Sequence, residues 1–461
     1  MLGLWTWLAC RTSEPSGTTD AGPDDTDASA DTSVEAPPDT ASADPRVVAE
    51  GVWVLDGTGF DLPRDDLAPL VDIVGDARLV GIGEPVHYSN GFAEVRARLI
   101  PWLVEDLGFR AVALEAGWNW AEAGRPYVED GTGELADAMA SVDYDLWQSE
   151  AHAELLQWLH DWNVAHPDDR VTWFGFDMQS FYDDFPWLRA VVAAADPAAE
   201  VALWPGVAGC VGGGYVTWED VRDDPFAQAL FAGDVVISPE QRAECQVGLD
   251  AIGAWADSHA DELAAAAGPD GPGLVRVALT ALAGAQDQWQ YGYVDVTSGY
   301  EARDAAMAEV LEQMWTLRGS DRRLVVWAHN LHLYRSADQL VGGNMPFRDL
   351  GSWLTERYGV DYAPIGQLCG RTSYDWAGTG AVTELAPVDS VEGDLRILTG
   401  GEHDALIVDV AAAIAAGGIR GPDGSFGTPD TVTGDVGAQL AGVIWLRESE
   451  VIDLWDWPTS R

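Results

Sequence analysis

Seven short, nearly unbroken apolar runs punctuate the chain, at 77–84, 109–116, 170–177, 322–330, 363–368, 404–410 and 441–448. None alternates as a strand with one wet face would, so each predicts a strand buried on both faces of a parallel sheet. Between the first two, GFAEVRARLIPWLVEDLG places Phe92, Val95, Leu99 and Leu103 on one helical stripe, with Pro101 as a kink point. Strand, helix and strand in that order make a right-handed crossover. From 238 to 319 every pattern is helical, which predicts a lobe, about 190–319, inserted between the third and fourth strands and walling one side of a cleft. The fold class expected is α/β: a mostly parallel sheet flanked by helices, with an inserted helical lobe. Residues 11–45, rich in Asp, Thr, Ser, Ala and Pro, predict a disordered linker ahead of a single domain over 46–461.

The polar residues that matter sit where the apolar runs stop. Glu84 and His87 leave the first strand in GEPVH, with Arg96 in the helix behind; Glu115 lies in LEAGW, and His329 and His332 close the fourth strand in VVWAHNLH. An open parallel sheet builds its site from strand ends at the carboxyl edge, so these groups are expected to converge. Carboxylates and imidazoles so placed suit activation of water: an imidazole takes the proton and a carboxylate orients the ring. Arg96 and a second histidine would stabilise the developing oxyanion. No G-x-S-x-G elbow is present, which disfavours a serine nucleophile. The spacings E-x-x-H and H-x-x-H also supply donors for a divalent ion, so a metal-dependent hydrolase, or an exported protein holding a metal or haem-like ligand, is the rival reading. Asp177, ending the third strand, and Arg303, in a lobe helix, are cleft or supporting candidates. Trp118 and Trp120 follow Glu115 as pocket-wall candidates, with core packing as the alternative.

Composition narrows the partners. The 461 residues carry a formal charge of −51, of which residues 11–45 hold about −8, and such a surface repels nucleic acid and anionic lipid. All 25 basic residues are Arg, which removes Schiff-base chemistry and the lysine that a phosphate loop at Gly212–Gly214 would need. The start, MLGLWTWLAC, has the look of the end of a lipoprotein signal, with Cys10 as the lipid-bearing residue and the only expected tie to a membrane. In an oxidising compartment Cys210 and Cys245 would pair; buried free thiols are the alternative.

Taken together, GEPVH with Arg96, LEAGW, FGFD, RDAAMAE at 303–309, VVWAHNLH and DALIVDV resemble the erythromycin esterase family over about 75–450. The resemblance implies a metal-independent esterase, without cofactor, that opens a macrolactone or another small ester by water attack. His87 matches the general base, Glu84 and Glu115 the essential carboxylates, Arg96 the family's arginine, and His329 and His332 its later histidines. The implied fold is a parallel sheet with flanking helices and a helical lobe. Three positions depart from the pattern: Val86 stands for the usual Thr, Gly91 for an acidic residue, and Val310 for Asn.

Overall fold

The computed structural model describes residues 46–455 apart from 143–144, 179–180, 214–224, 226–228, 230–235, 293–294, 337–346, 376–379 and 423. The apolar start with Cys10 and the acidic tract of 11–45 lie outside the described residues. Two short strands, β1 (Val47–Ala49) and β2 (Val52–Val54), and a short helix α1 (Leu70–Val74) open the chain. Then come β3 (Leu79–Glu84), α2 (Asn90–Leu107), β4 (Phe109–Gly117), α3 (Trp118–Asp130), α4 (Leu135–Ser141), α5 (Glu150–Ala165) and β5 (Thr172–Asp177). The chain next leaves the sheet for α6 (Phe181–Ala195), α7 (Pro197–Leu203), α8 (Pro239–Ser258), α9 (Ala260–Ala267), α10 (Gly271–Tyr291) and α11 (Val296–Gly319). It returns as β6 (Arg323–His329), followed by α12 (Leu350–Tyr358), β7 (Tyr362–Tyr374), β8 (Val382–Leu385), α13 (Val391–Leu398), β9 (Ala405–Asp409) and α14 (Val410–Ala415). A hairpin of β10 (Gly424–Phe426) and β11 (Val432–Gly434), α15 (Val436–Gln439) and β12 (Gly442–Ser449) complete the elements.

The main sheet runs β1-β2-β9-β12-β7-β3-β6-β4-β5, with β8 against the far half of β7. From β12 to β5 all neighbours are parallel, and all seven apolar runs of the sequence lie in this sheet. One of them departs from expectation: β9 is antiparallel to both β12 and β2. An unbroken apolar run reports burial on two faces but carries no information about strand direction.

Alternate residues of each central strand feed opposite layers. Val325 and Trp327 of β6 face α2 and α5, whereas Leu324, Val326 and Ala328 face α10, α11 and α12. Helices α6 to α11 fill the interval between β5 and β6, and α11 lies against β4 and β5. A disulfide joins Cys210 to Cys245, whose Cα atoms are 5.0 Å apart, the pairing expected from the sequence.

Strand register already does much of the positioning. Glu84, the last residue of β3, lies directly beside His329, the last of β6, and Gly117 of β4 beside Asp177 of β5. At Gly83 a Cβ would lie 2.0 Å from the side-chain oxygen of Asn330, so only glycine lets the turn after β6 fold back over the end of β3.

Candidate active site

The first group is built on the end of β3. Glu84 Oε1 lies 2.7 Å from His87 Nδ1, and Glu84 Oε2 lies 2.6 Å from Arg96 Nη1. The Arg96 guanidinium, nearly two turns into α2 and buried, also rests over Trp327 at 4.2 Å from the ring centroid. The loop that bends His87 back onto its carboxylate passes through Tyr88 at φ 63°, a left-handed conformation costly for a bulky residue. The segment after β12 clamps it there. Ile452 N–H donates to Tyr88 C=O (2.9 Å), Asn90 N–H to Glu450 C=O (2.7 Å), and Gly91 N–H to Ser449 Oγ (3.0 Å).

A second group joins β4, β5, β6 and α11. Glu115 Oε2 accepts the backbone N–H of His329 at 2.7 Å; its Oε1 lies 2.9 Å from Arg303 Nη2 and 3.2 Å from His332 Nε2. Arg303 also donates to both oxygens of Asp177, from Nε at 3.3 Å and from Nη2 at 2.8 Å. The other nitrogen of His332 donates to Asp304 Oδ1 at 2.7 Å, and the same oxygen accepts Leu350 N–H at 2.8 Å. Adjacent residues on a helix point about 100° apart, so Arg303 and Asp304 grip the two sides of one carboxylate–imidazole pair.

His329 bridges the groups. Its Nδ1 accepts Leu331 N–H at 3.2 Å, which leaves the ring proton on Nε2, 2.9 Å from Pro85 C=O and 3.3 Å from Asp430 Oδ2. The rings of His87 and His329 meet edge to face with centroids 5.2 Å apart. Asp430 comes from the tip of the β10–β11 hairpin. Buried Glu392 fixes that tip by accepting Gly427 N–H and Thr428 N–H at 2.8 and 2.9 Å.

Environment assigns different protonation to each group. Burial is the largest influence on His332 and acts to neutralise it, but Asp304 and Glu115 outweigh it and push its pKa up to about 10. His332 is therefore an imidazolium at neutral pH. Burial likewise acts to raise Glu115, yet His332 and Arg303 hold it well below the usual carboxylate range. With three donors on it, Glu115 is a fixed anion rather than a proton carrier. For His87, burial opposes charge, and the Glu84 hydrogen bond and charge overcome it, raising the imidazole above its ordinary value. Glu84 is held low by Arg96 and His87 against the opposing effect of burial. His87 (17% exposed) and Asp430 (16%) reach solvent, whereas the side chains of Glu84, Arg96, Glu115, Asp177, Arg303, His329 and His332 are exposed by 8% or less.

Comparison with known proteins follows the same lines. The erythromycin esterase family model matches residues 104–399. This chain belongs to the erythromycin esterase family. Erythromycin esterase type II of Escherichia coli is 30% identical over 114 residues, which are 25% of this chain and 26% of that enzyme. A candidate hydrolase of Bacillus subtilis strain 168, YbfO, is 22% identical over 369 residues, 75% of this chain and 76% of that one. Among solved structures, a Bacillus cereus protein superposes with a TM-score of 0.66 at 18% identity, covering 88% of this chain and 97% of its own. A variant of the erythromycin esterase EreC, in its open conformation, gives 0.64 at 20% identity, covering 86% and 97%. These two likenesses show the fold, the mostly parallel sheet with flanking helices.

The family match begins after His87, so the pairing of His87 with Glu84 and Arg96 stands on the geometry above. All six candidates for the chemistry meet at one edge of the sheet, but not in equivalent places. Arg96 is sealed between Glu84 and Trp327, so the expectation that it faces an oxyanion does not hold; the ring that lies beside the solvent-reaching His87 is that of His329, with centroids 5.2 Å apart. Asp177 and Arg303 are buried beneath Glu115 and support it rather than line a cleft. Trp118 is fully buried, edge-on to Trp187 at 5.0 Å, and packs with Phe174 and Met178; the cavity it borders, with Asn119, Glu122 and Trp187, includes none of the six candidates for the chemistry. Trp120 is also buried, its indole N–H donating to Asp183 at 2.8 Å. Among the described residues no group of three or more His, Cys, Asp or Glu side chains is arranged to hold a metal ion. The nitrogens of His329 and His332 point instead to backbone and carboxylate partners, with Arg303 Nη1 also 3.3 Å from His332 Nε2.

The departure at Gly91 has a steric cause. A Cβ there would lie 2.8 Å from Leu446 Cδ1 and 2.9 Å from Ser449 Oγ, so β12 occupies the space an acidic side chain would need. Restoring the family's acid with Gly91→Asp should cost about 1–3 kcal/mol in overpacking alone, with more for a buried charge. Thermal melting checks this. A variant melting with the wild type would mean that β12 yields freely.

Proposed function

We propose that the protein hydrolyses a small carboxylic ester, with macrolactones among the candidates, by water attack and without a covalent intermediate. The observation that carries this reading is the 2.7 Å contact of Glu84 with His87, which orients the most exposed imidazole of the cluster. With Nδ1 held by Glu84, Nε2 on the opposite side of the ring is the atom that takes a proton from water as its oxygen attacks the ester carbonyl carbon. Glu84, kept ionised by Arg96, stabilises the resulting imidazolium. The tetrahedral oxyanion accepts the His329 Nε2–H, which shifts from Pro85 C=O. Collapse breaks the ester C–O bond, and the departing alkoxide takes the proton back from His87. The products are an acid and an alcohol, joined in one molecule when the substrate is a lactone. Glu115, His332, Arg303, Asp177 and Asp304 hold this arrangement and exchange no protons during the cycle.

Binding of a metal or haem-like ligand by the same histidines is the weaker reading, because both His332 nitrogens face carboxylates at 2.7 and 3.2 Å. Purified protein assayed on a panel of lactones and simple esters tests the proposal. Turnover is expected without an initial burst, and with no acyl adduct in the intact mass of quenched enzyme. An acyl adduct would replace water attack by a covalent route, and a panel without turnover would end the hydrolase reading.

A further inference from the structure

Ser89 stands where a helix-capping side chain belongs, one residue before α2, yet it does not cap its own helix. Its Oγ donates to Glu450 C=O at 3.1 Å and lies 2.6 Å from Ser449 Oγ, both from the exit of β12. The first two amides of α2 have no partner inside the helix and go the same way. Asn90 N–H donates to Glu450 C=O at 2.7 Å, and Gly91 N–H to Ser449 Oγ at 3.0 Å. The helix is capped by another strand. The strap that follows, residues 449–455, adds to this hold. Ile452 N–H donates to Tyr88 C=O at 2.9 Å, and Asp453 N–H to Asn90 Oδ1 at 3.2 Å. Glu150 N–H then donates to Asp453 C=O (3.1 Å) and Trp455 N–H to Gln148 C=O (2.8 Å), which fastens the strap to the start of α5. There Ser149 caps its own helix by accepting His152 N–H at 3.2 Å. Of the two helix starts that the strap joins, the one that follows His87 depends on it for its cap.

What this cap controls is one backbone torsion. Pro85 to Ser89 carry the chain from Glu84 to α2, and among the described residues Tyr88 is the only non-glycine with a positive φ. Groups on either side of that torsion serve one carboxylate: His87 meets Glu84 Oε1, and Arg96, carried by α2, meets Oε2. An unsupported tyrosine favours other backbone conformations over the left-handed one by about five- to thirtyfold. We infer that Ser449 is a positioning residue for the base. With the strap it leads, it caps α2 from outside and holds Tyr88 left-handed, so His87 stays on Glu84 only while the strap is seated. The inference rests on the hydrolase reading for the role of His87; the link from the strap to the His87–Glu84 contact stands without it.

Two lesions of the strap provide the test. Ser449→Ala removes the acceptor of Gly91 N–H, and Ile452→Pro removes the donor to Tyr88 C=O, so one variant serves if the other fails to fold. Each is expected to lower kcat for the best ester of the panel by about five- to thirtyfold, the odds against an unsupported left-handed tyrosine. KM should stay within about twofold, because alignment of the base is lost and not a binding contact. A second readout is the titration of His87, which faces Glu84, Arg96, Glu115 and the ring of His329. Burial opposes its charge and the Glu84 hydrogen bond overcomes that, so a ring released from Glu84 should titrate closer to 6.5. The acid limb of kcat/KM and histidine proton NMR should both show this. The decisive measurement repeats the lesions in a Tyr88→Gly background. Glycine accepts this φ unaided, so there each lesion should lower kcat by no more than about twofold. Equal losses in both backgrounds, or lesions that leave kcat and the His87 titration at wild-type values, would overturn the inference. A panel with no ester turned over would remove the hydrolase reading alone. His87 NMR would then still decide the role of the strap, and wild-type titration in both lesions would reject it.

Discussion

Replacing His87 with Ala is expected to lower kcat/KM for the best ester of the panel by about a hundredfold to ten-thousandfold, the usual contribution of a positioned general base. The protein should still fold. The His87 side chain is partly exposed, and its removal leaves Glu84 paired with Arg96 at 2.6 Å, so no buried charge is stranded. Circular dichroism and a melting curve close to wild type would accompany the loss. The wild-type pH profile adds a signature. A base must be unprotonated to work, so kcat/KM should rise with pH through the His87 pKa, and that limb should sit above 6.5 because Glu84 raises it. Glu84→Gln removes the charge that lifts the imidazole, so its limb should move to lower pH while the plateau falls. Activity of His87→Ala near the wild-type rate would place the chemistry elsewhere.

Why the sequence exposes some of these residues and hides others follows from where they sit. Glu84 and His329 are legible because each ends an apolar run, and parallel register then sets strand ends side by side. Glu115 is legible for the same reason, although it lies within β4 rather than at its tip. The roles of these residues are less legible than their positions. Nothing local distinguishes Arg96, locked under the site, from an arginine that faces substrate, because that depends on Trp327 from another strand. Trp118 follows Glu115 in sequence, yet the start of α3 turns it into the core. Asp304 was present in RDAAMAE but gave no signal of its own: an acid inside a polar-looking helix reads as a solvated face until the sheet is placed against it. Asp430 had less signal still. It lies in a hairpin tip with no periodicity, and reaches His329 only because Glu392, from a helix near 400, fixes the turn. The hairpin lies beyond the family match as well.

Asp304→Asn should expose how far the second group depends on the His332 charge. The groups facing that ring are Asp304, Glu115 and Arg303, with Asp349 behind Asp304. Burial, with Asp304 beside it, pushes Asp349 well above the usual carboxylate range against the Ser352 hydrogen bonds. In the wild type the folded pKa of His332, about 10, exceeds its ordinary 6.5. A raised folded pKa gives stability that is fully present below about 6.5 and lost as pH rises through about 10. Melting temperature is therefore expected to fall between pH 7 and 10 in the wild type. Asparagine keeps an oxygen for His332 and Leu350 N–H but withdraws the charge, so His332 should titrate closer to its ordinary value. The stabilisation should then be smaller, and its loss, which still begins near 6.5, should be complete at lower pH. Removing one partner of a buried charged pair costs about 3–5 kcal/mol, and the retained hydrogen bonds make the lower end the expectation. Activity gives the sharper readout. Once His332 is neutral, Glu115 loses the strongest of the influences that keep it ionised, and its grip on the His329 backbone slackens. The variant should therefore acquire an alkaline limb in kcat/KM that the wild type lacks below about pH 10. A merely structural role would lower kcat/KM evenly across pH, and Asp304→Glu, which restores the charge, should recover the wild-type profile in part. Histidine proton NMR decides the premise directly: a wild-type His332 that titrates near 6.5 would show that this pair holds no charge at neutral pH.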